Sequence, residues 1–208
     1  TTVCPSVKDY DDNVYEVVKI GEQVWMAENL KVSHYPDGRQ IEYVADSAEW
    51  VALGTTNAAF CWYDNNQAYL DEYGALYNWT AAMDGESSTY ANPSKIQGVC
   101  PDGWHLPSDN EWKQLEMHLG MSQVDADDRY WRGTDQGTQL KEAGYSHWLN
   151  SSIEGTNTSQ FTALPAGVRR YEGYFEGRRI NSYFWTTSET TVTNAWDRHL
   201  YYQEEGVH

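Results

Sequence analysis

Large aromatic side chains must build the interior of this chain, because the usual aliphatic ones are too few. Ten Trp, sixteen Tyr and four Phe stand among 208 residues, and Leu, Ile and Val are sparse. Aromatic and β-branched residues suit pleated strands, whereas long helices want Leu, Ala, Glu and Lys. Sixteen Gly, with many Asn, Ser and Thr, supply turns. The expectation is an α+β chain with few, short helices, many turns and an aromatic core. Its length fits one domain, residues 1–208, large enough to bury about 70% of its unfolded surface without a covalent staple.

The formal charge of -17 argues against nucleic acid and against an anionic membrane surface as partners. No run of eighteen apolar residues occurs, so no membrane span is expected. Three cysteines, Cys4, Cys61 and Cys100, show no CxxC spacing, so no zinc or redox site is expected. Their odd number leaves one thiol over or places a partner beyond the stated ends. Together with few lysines, this leans towards an exported protein. The opening at Thr1 without a Met reads as a mature or excised fragment.

Along the chain, Val14 to Ile20 predicts a strand, and Gly21-Glu22 a turn into a second strand at Val24-Trp25-Met26. The acidic turn Asp11-Asp12-Asn13 lacks the Gly and closing Glu of an EF-hand loop. Residues 33–60 read as a long connection with a turn at Pro36-Asp37-Gly38. From Tyr73 to Met83, the spacing of Leu76, Trp79, Ala82 and Met83 predicts one short helix. The firmest helix signal follows: Ser108 as N-cap with Glu111 three residues on, a stripe of Trp112, Leu115 and Leu119, and a stop at Gly120. His105 and His118 fit no HExxH pattern and read as structural. Asp125, Asp127 and Asp128 read as a solvated loop, 136–144 as one or two helical turns ended by Gly144, and Trp148 as buried.

The last forty-eight residues differ from the rest. Arg169, Arg170, Arg178, Arg179 and Arg198 nearly balance six acids there, and Tyr, Trp and Arg are the side chains that recognition surfaces favour. Breaks at Ala166-Gly167 and Glu176-Gly177 precede a strand run at Tyr183–Thr187. In 194–202, alternation sends Ala195, Asp197, His199 and Tyr201 outward, and Trp196, Arg198, Leu200 and Tyr202 inward. Arg198 then needs a buried partner.

Several segments carry a resemblance: VKIGEQVWMAENLKV, CWYDNN, YGALYNWTAA, VCPDGWHLPSDNEWKQLE, LKEAG, FTALPAG, FWTTSE and NAWDRHLYY. In this order they resemble the Fibrobacter succinogenes major paralogous domain, over about Val7 to His208. GWHLPSDNEW is also similar to a segment of formylglycine-generating-enzyme-like proteins. The resemblance implies a C-type-lectin-like fold, with two short helices, a small twisted antiparallel sheet and long loops. It also implies export to the bacterial surface, in Bacteroidetes-like organisms. Some members resemble variable proteins of diversity-generating retroelements, in which a C-terminal segment varies over a fixed scaffold; here that would be about Tyr171–His208. Family members commonly continue into a further strand bearing a Cys, and that Cys would be a partner for Cys100.

Two function classes follow. The first is a non-catalytic, adhesin-like binding domain using the C-terminal strands and loops. Its expected ligand-binding residues are Tyr174, Glu176, Arg178, Arg179, Asn181, Tyr183, Asp197, His199, Tyr201, Gln203 and Glu204. Its partner would be a surface glycan or a protein, with no nucleic acid and no cofactor or metal. The second is a structural tip or assembly subunit of a pilus or surface filament. A glycan-active enzyme ranks below both: it needs two facing carboxylates, which thirty-one acids do not single out, and no GxSxG, HExxH or phosphate loop marks another catalytic constellation. No Cys follows Cys100, so the formylglycine-generating chemistry does not carry over.

Overall fold

A computed structural model describes residues 6–208; Cys4 lies outside the described residues. The chain begins with β1 (Val7–Lys8) paired to β2 (Val14–Tyr15). The acidic turn between them is held by its own carboxylate: Asp9 accepts from the Asp11 and Asn13 amides and from the Tyr15 hydroxyl. Next comes an antiparallel hairpin, β3 (Val17–Ile20) and β4 (Gln23–Met26), turning at Gly21-Glu22 as the sequence indicates.

The connection of 33–60 holds more structure than its sequence suggests. It contains β5 (Glu42–Tyr43), α1 (Ser47–Ala52) and the start of β6 (Ala59–Cys61). The Asp46 carboxylate caps α1 by accepting from the Ala48 and Glu49 amides, and Trp50 and Leu53 face inward. The helix expected over Tyr73–Met83 is not continuous. It is divided into α2 (Ala68–Tyr73), β7 (Leu76–Tyr77) and α3 (Trp79–Met83). Gly74 causes the break. Its φ is +78°, and a Cβ there would lie 2.6 Å from that of Asn29. Leu76-Tyr77 then pairs with β6, and Asn78 caps α3 through the Ala81 amide.

Helix α4 (Asp109–His118) starts with the expected capping box: Ser108 accepts from the Glu111 amide, and Glu111 returns the bond to the Ser108 amide. Of the acids that read as a solvated loop, Asp125 instead lies in α5 (Gln123–Ala126), capped by Ser122, while Asp127 and Asp128 follow it in an exposed turn. Helix α6 (Gln136–Leu140) ends at Lys141, earlier than the expected Gly144. A short hairpin, β8 (Val168–Arg169) with β9 (Phe175–Glu176), leads to the longest pair, β10 (Asn181–Thr191) and β11 (Asn194–Tyr201).

The interior is aromatic, as the composition requires. Trp112, Trp148 and Phe161 join Leu115, Leu140 and Leu200 in one cluster under β10–β11 and α4. Trp112 is 2% exposed, and burying a side chain of this size contributes roughly 3 kcal/mol or more. Two further clusters surround Phe60 and Trp50. Among the described residues, no helix is long and apolar enough to cross a membrane. Cys61 and Cys100 are buried free thiols, and burial pushes both thiol pKa values up. His105 binds Glu111 at 2.7 Å, the structural role its sequence context suggests.

Candidate ligand-binding face

The β10–β11 pair has two unlike faces. Asn181, Tyr183 and Trp185 on one strand lie opposite Tyr201, His199 and Asp197 on the other. All six are at least partly accessible. The alternate positions point inward. Ser182 and Leu200 are buried, and Arg198 is 2% exposed.

The buried face is locked to the rest of the molecule. Arg198 Nε donates to Glu116 Oε1 at 2.6 Å, and its Nη2 donates to Asp109 Oδ1 at 2.8 Å. Arg132 also reaches Glu116, so two guanidiniums share one fully buried carboxylate. The Ser188 hydroxyl accepts from the first amide of α4, at Asp109, and donates to the Thr89 carbonyl. Thr187 hydrogen-bonds Thr89 and Pro107. These bonds explain why the polar run Thr186-Thr187-Ser188 is wholly buried in a strand: each side chain has a partner.

The accessible face is organised around His199. The Tyr183 and His199 rings stack at 4.3 Å, and His199 Nε2 lies 2.8 Å from Asn181 Oδ1. Trp131 packs 5.0 Å from His199 and 6.2 Å from Tyr201. Burial first, then the charges of His208, Arg170 and Lys141, pushes the His199 imidazole down to about 4. It is therefore neutral at pH 7, with Nε2–H donating to Asn181 and Nδ1 left as an acceptor. Arg170 lies 5.7 Å from the Tyr183 ring while its Nε binds Glu176. Burial holds the Asp197 carboxyl above the usual carboxylate range.

The expected site residues separate into groups. Asn181, Tyr183, Asp197, His199 and Tyr201 come together on this face. Glu176 joins them through Arg170, and Gln203 through a 3.3 Å bond from the Tyr201 hydroxyl. Glu204 sits in the turn after β11, where its carbonyl and that of Tyr201 both accept from Lys141 Nζ at 2.6 Å. Tyr174 is exposed on the β8–β9 connection. Arg178 is packed over Tyr69 at 4.2 Å, with Tyr63 and Tyr73 beside it. Arg179 has a φ of +70° and donates to the His147 carbonyl.

Three further residues border the face without having been selected from the sequence. Trp185 is 39% exposed, and alternation from Tyr183 would have found it. Arg170 was visible only as part of an Arg-rich stretch. Trp131 lies about fifty residues earlier in a loop, and no local pattern connects it to the C-terminal strands. Several of these residues line a branched open cleft of about 1330 Å³ that also reaches α1 and α3.

The sequence profile of the Fibrobacter succinogenes major domain matches residues 18–207. The chain belongs to that family. The match takes in every element from β4 to β11 and all of β3 but Val17, so the accessible face is part of the family domain. No curated protein and no solved structure matches this chain.

Proposed function

We propose that this domain is a non-catalytic ligand-binding module of C-type-lectin-like architecture, carried on the outer surface of a bacterium, and that its ligand docks on the accessible face of β10–β11. The observation that carries this reading is the division of labour between the two faces. Arg198, Leu200 and Thr186 to Ser188 fix the strands from beneath, while Asn181, Tyr183, Trp185, Asp197, His199 and Tyr201 share one accessible side. Side chains on that side can be exchanged without opening the interior, as a diversified binding surface requires. Aromatic faces and fixed polar groups in alternation suit either sugar rings or protein side chains.

The test is binding of the purified domain to glycan arrays and to surface-protein extracts, with Ala placed in turn at Arg178, Asn181, Asp197 and Tyr201. Loss of a wild-type signal on substitution of Asn181, Asp197 or Tyr201, with unchanged melting temperature, supports the reading. Wild-type affinity in all four variants rejects it. Release of a cleaved or modified product from any bound ligand rejects the non-catalytic part.

A further inference from the structure

Asp197 is the charged group on the accessible face whose chemistry is left open. Its carboxylate is half-buried but accepts no hydrogen bond from the side chain or backbone of any other described residue. The nearby cations are committed elsewhere. Arg198, its neighbour in sequence, points to the opposite face and binds Glu116 and Asp109. Arg170 is paired with Glu176. The His199 imidazole spends its N–H on Asn181. No salt bridge joins His208 to Asp197 among the described residues. A carboxylate partly withdrawn from water and given no donor beyond its own backbone amide is costly unless something else supplies one.

Its surroundings say what that something should be. Trp185 lies directly across the strand pair from Asp197. The Trp185 indole N–H already donates to the Tyr77 carbonyl at 2.9 Å, so its exposed portion is ring surface rather than donor. Both residues border the open cleft, together with Tyr183 and the exposed Val192. A carboxylate flanked by aromatic ring surface is the arrangement that holds a planar cation, which pairs with the oxygen atoms and lies against the rings. The net charge of -17 also draws positive partners towards the domain.

We propose that Asp197 and Trp185 form a subsite for a guanidinium group, so that the docked ligand is a protein presenting an arginine side chain. This rests on the binding face proposed above and narrows its ligand to a cationic peptide surface rather than a neutral sugar. Asp197 would take the guanidinium N–H groups, Trp185 would cover one side of the plane, and Tyr183 would border the aliphatic stem.

The probe is an acetylated, amidated five-residue peptide with a central arginine, titrated into ¹⁵N-labelled domain. Arms with citrulline or lysine at the centre, and one with a neutral oligosaccharide, run alongside. The Trp185 indole N–H resonance reports on the site. The expected result is a saturable shift with the arginine peptide, at least tenfold weaker with citrulline. In Asp197→Asn the affinity for the arginine peptide should fall at least tenfold, and in Asp71→Asn, an exposed acid on α2, less than twofold. The Asp71 arm matters because both variants remove one negative charge.

Equal affinity of arginine and citrulline peptides, or of wild type and Asp197→Asn, overturns the subsite. A lysine peptide bound as tightly as arginine overturns the guanidinium and leaves a general cation site. Saturable shifts with the oligosaccharide alone reject the cation but keep the face as a binding surface. Shifts confined to residues outside β10–β11 with every probe that binds reject both.

Discussion

The rings of Tyr183 and His199 lie 10° from parallel, with centroids 4.3 Å apart, directly across the β10–β11 pair. Cross-strand neighbours on one face are the elementary stabilising unit of a sheet. Here they also set the middle of the accessible face, because the His199 N–H is then aimed at Asn181. Two side chains that look free in a strand alternation are thereby fixed in one geometry before any ligand arrives. Rigid aromatic groups lose little entropy on binding.

That arrangement predicts a pH dependence. His199 titrates at about 4 in the folded protein and near 6.5 when unfolded. Between those values the unfolded chain holds the extra proton, so this residue makes stability rise from pH 4 to pH 6.5 and level off above. Asp197, whose carboxyl is raised by burial, contributes the opposite slope above the unfolded carboxylate pKa. Urea unfolding of wild type and His199→Gln at pH 4.5 and pH 7 separates the two: the variant should lose less stability on acidification. An identical loss in both proteins contradicts a His199 held neutral by the folded structure.

The support beneath the face should be far less tolerant. Arg198→Met removes the cation that bridges Glu116 and Asp109, leaving Glu116 with Arg132 alone and Asp109 with Lys113 alone. The expected cost is about 3–5 kcal/mol. Asp197→Asn and Tyr201→Ala, on the accessible side, should each stay within about 1 kcal/mol of wild type. Chemical denaturation of the three variants decides this, and comparable losses across all three contradict the division between frame and face.

Much of this frame was legible beforehand. The helix at Asp109 could be read because Ser108 and Glu111 declare a capping box locally, and the inward position of Arg198 because strand alternation is a local signal. The divided helix around Gly74 was not, since Leu76, Trp79 and Met83 keep helical spacing while the contact that breaks it comes from Asn29. Helix α1 was missed although Asp46 and Glu49 give a cap signal, because its six residues offer little periodicity. The face itself was half legible. Alternation placed Asp197, His199 and Tyr201 together, but Trp131 arrives from a distant loop. Arg178 looked like a free donor until the tyrosines that cover it were located in space.

Lys141 provides a further test, because a buried ammonium ties the turn after β11 to the end of α6. Its Nζ donates to the carbonyls of Tyr201 and Glu204 and lies 5.2 Å from the Trp148 ring. Lys141→Met fills a similar volume but leaves the Glu204 carbonyl without its donor, while the Tyr201 carbonyl keeps the Glu204 amide, at a cost of roughly 1–3 kcal/mol. Amide hydrogen exchange should then accelerate in residues 201–205 more than in β3–β4. Uniform acceleration through the chain would contradict a local tether.

The most direct test is hydroxyl-radical footprinting of the domain with its strongest array ligand. Oxidation of Trp131, Tyr183, Trp185 and Tyr201 should fall on binding, while that of the exposed Tyr10 and Tyr90 stays constant. Protection of Tyr10 or Tyr90 with the four face residues unchanged would contradict docking on the outer side of β10–β11.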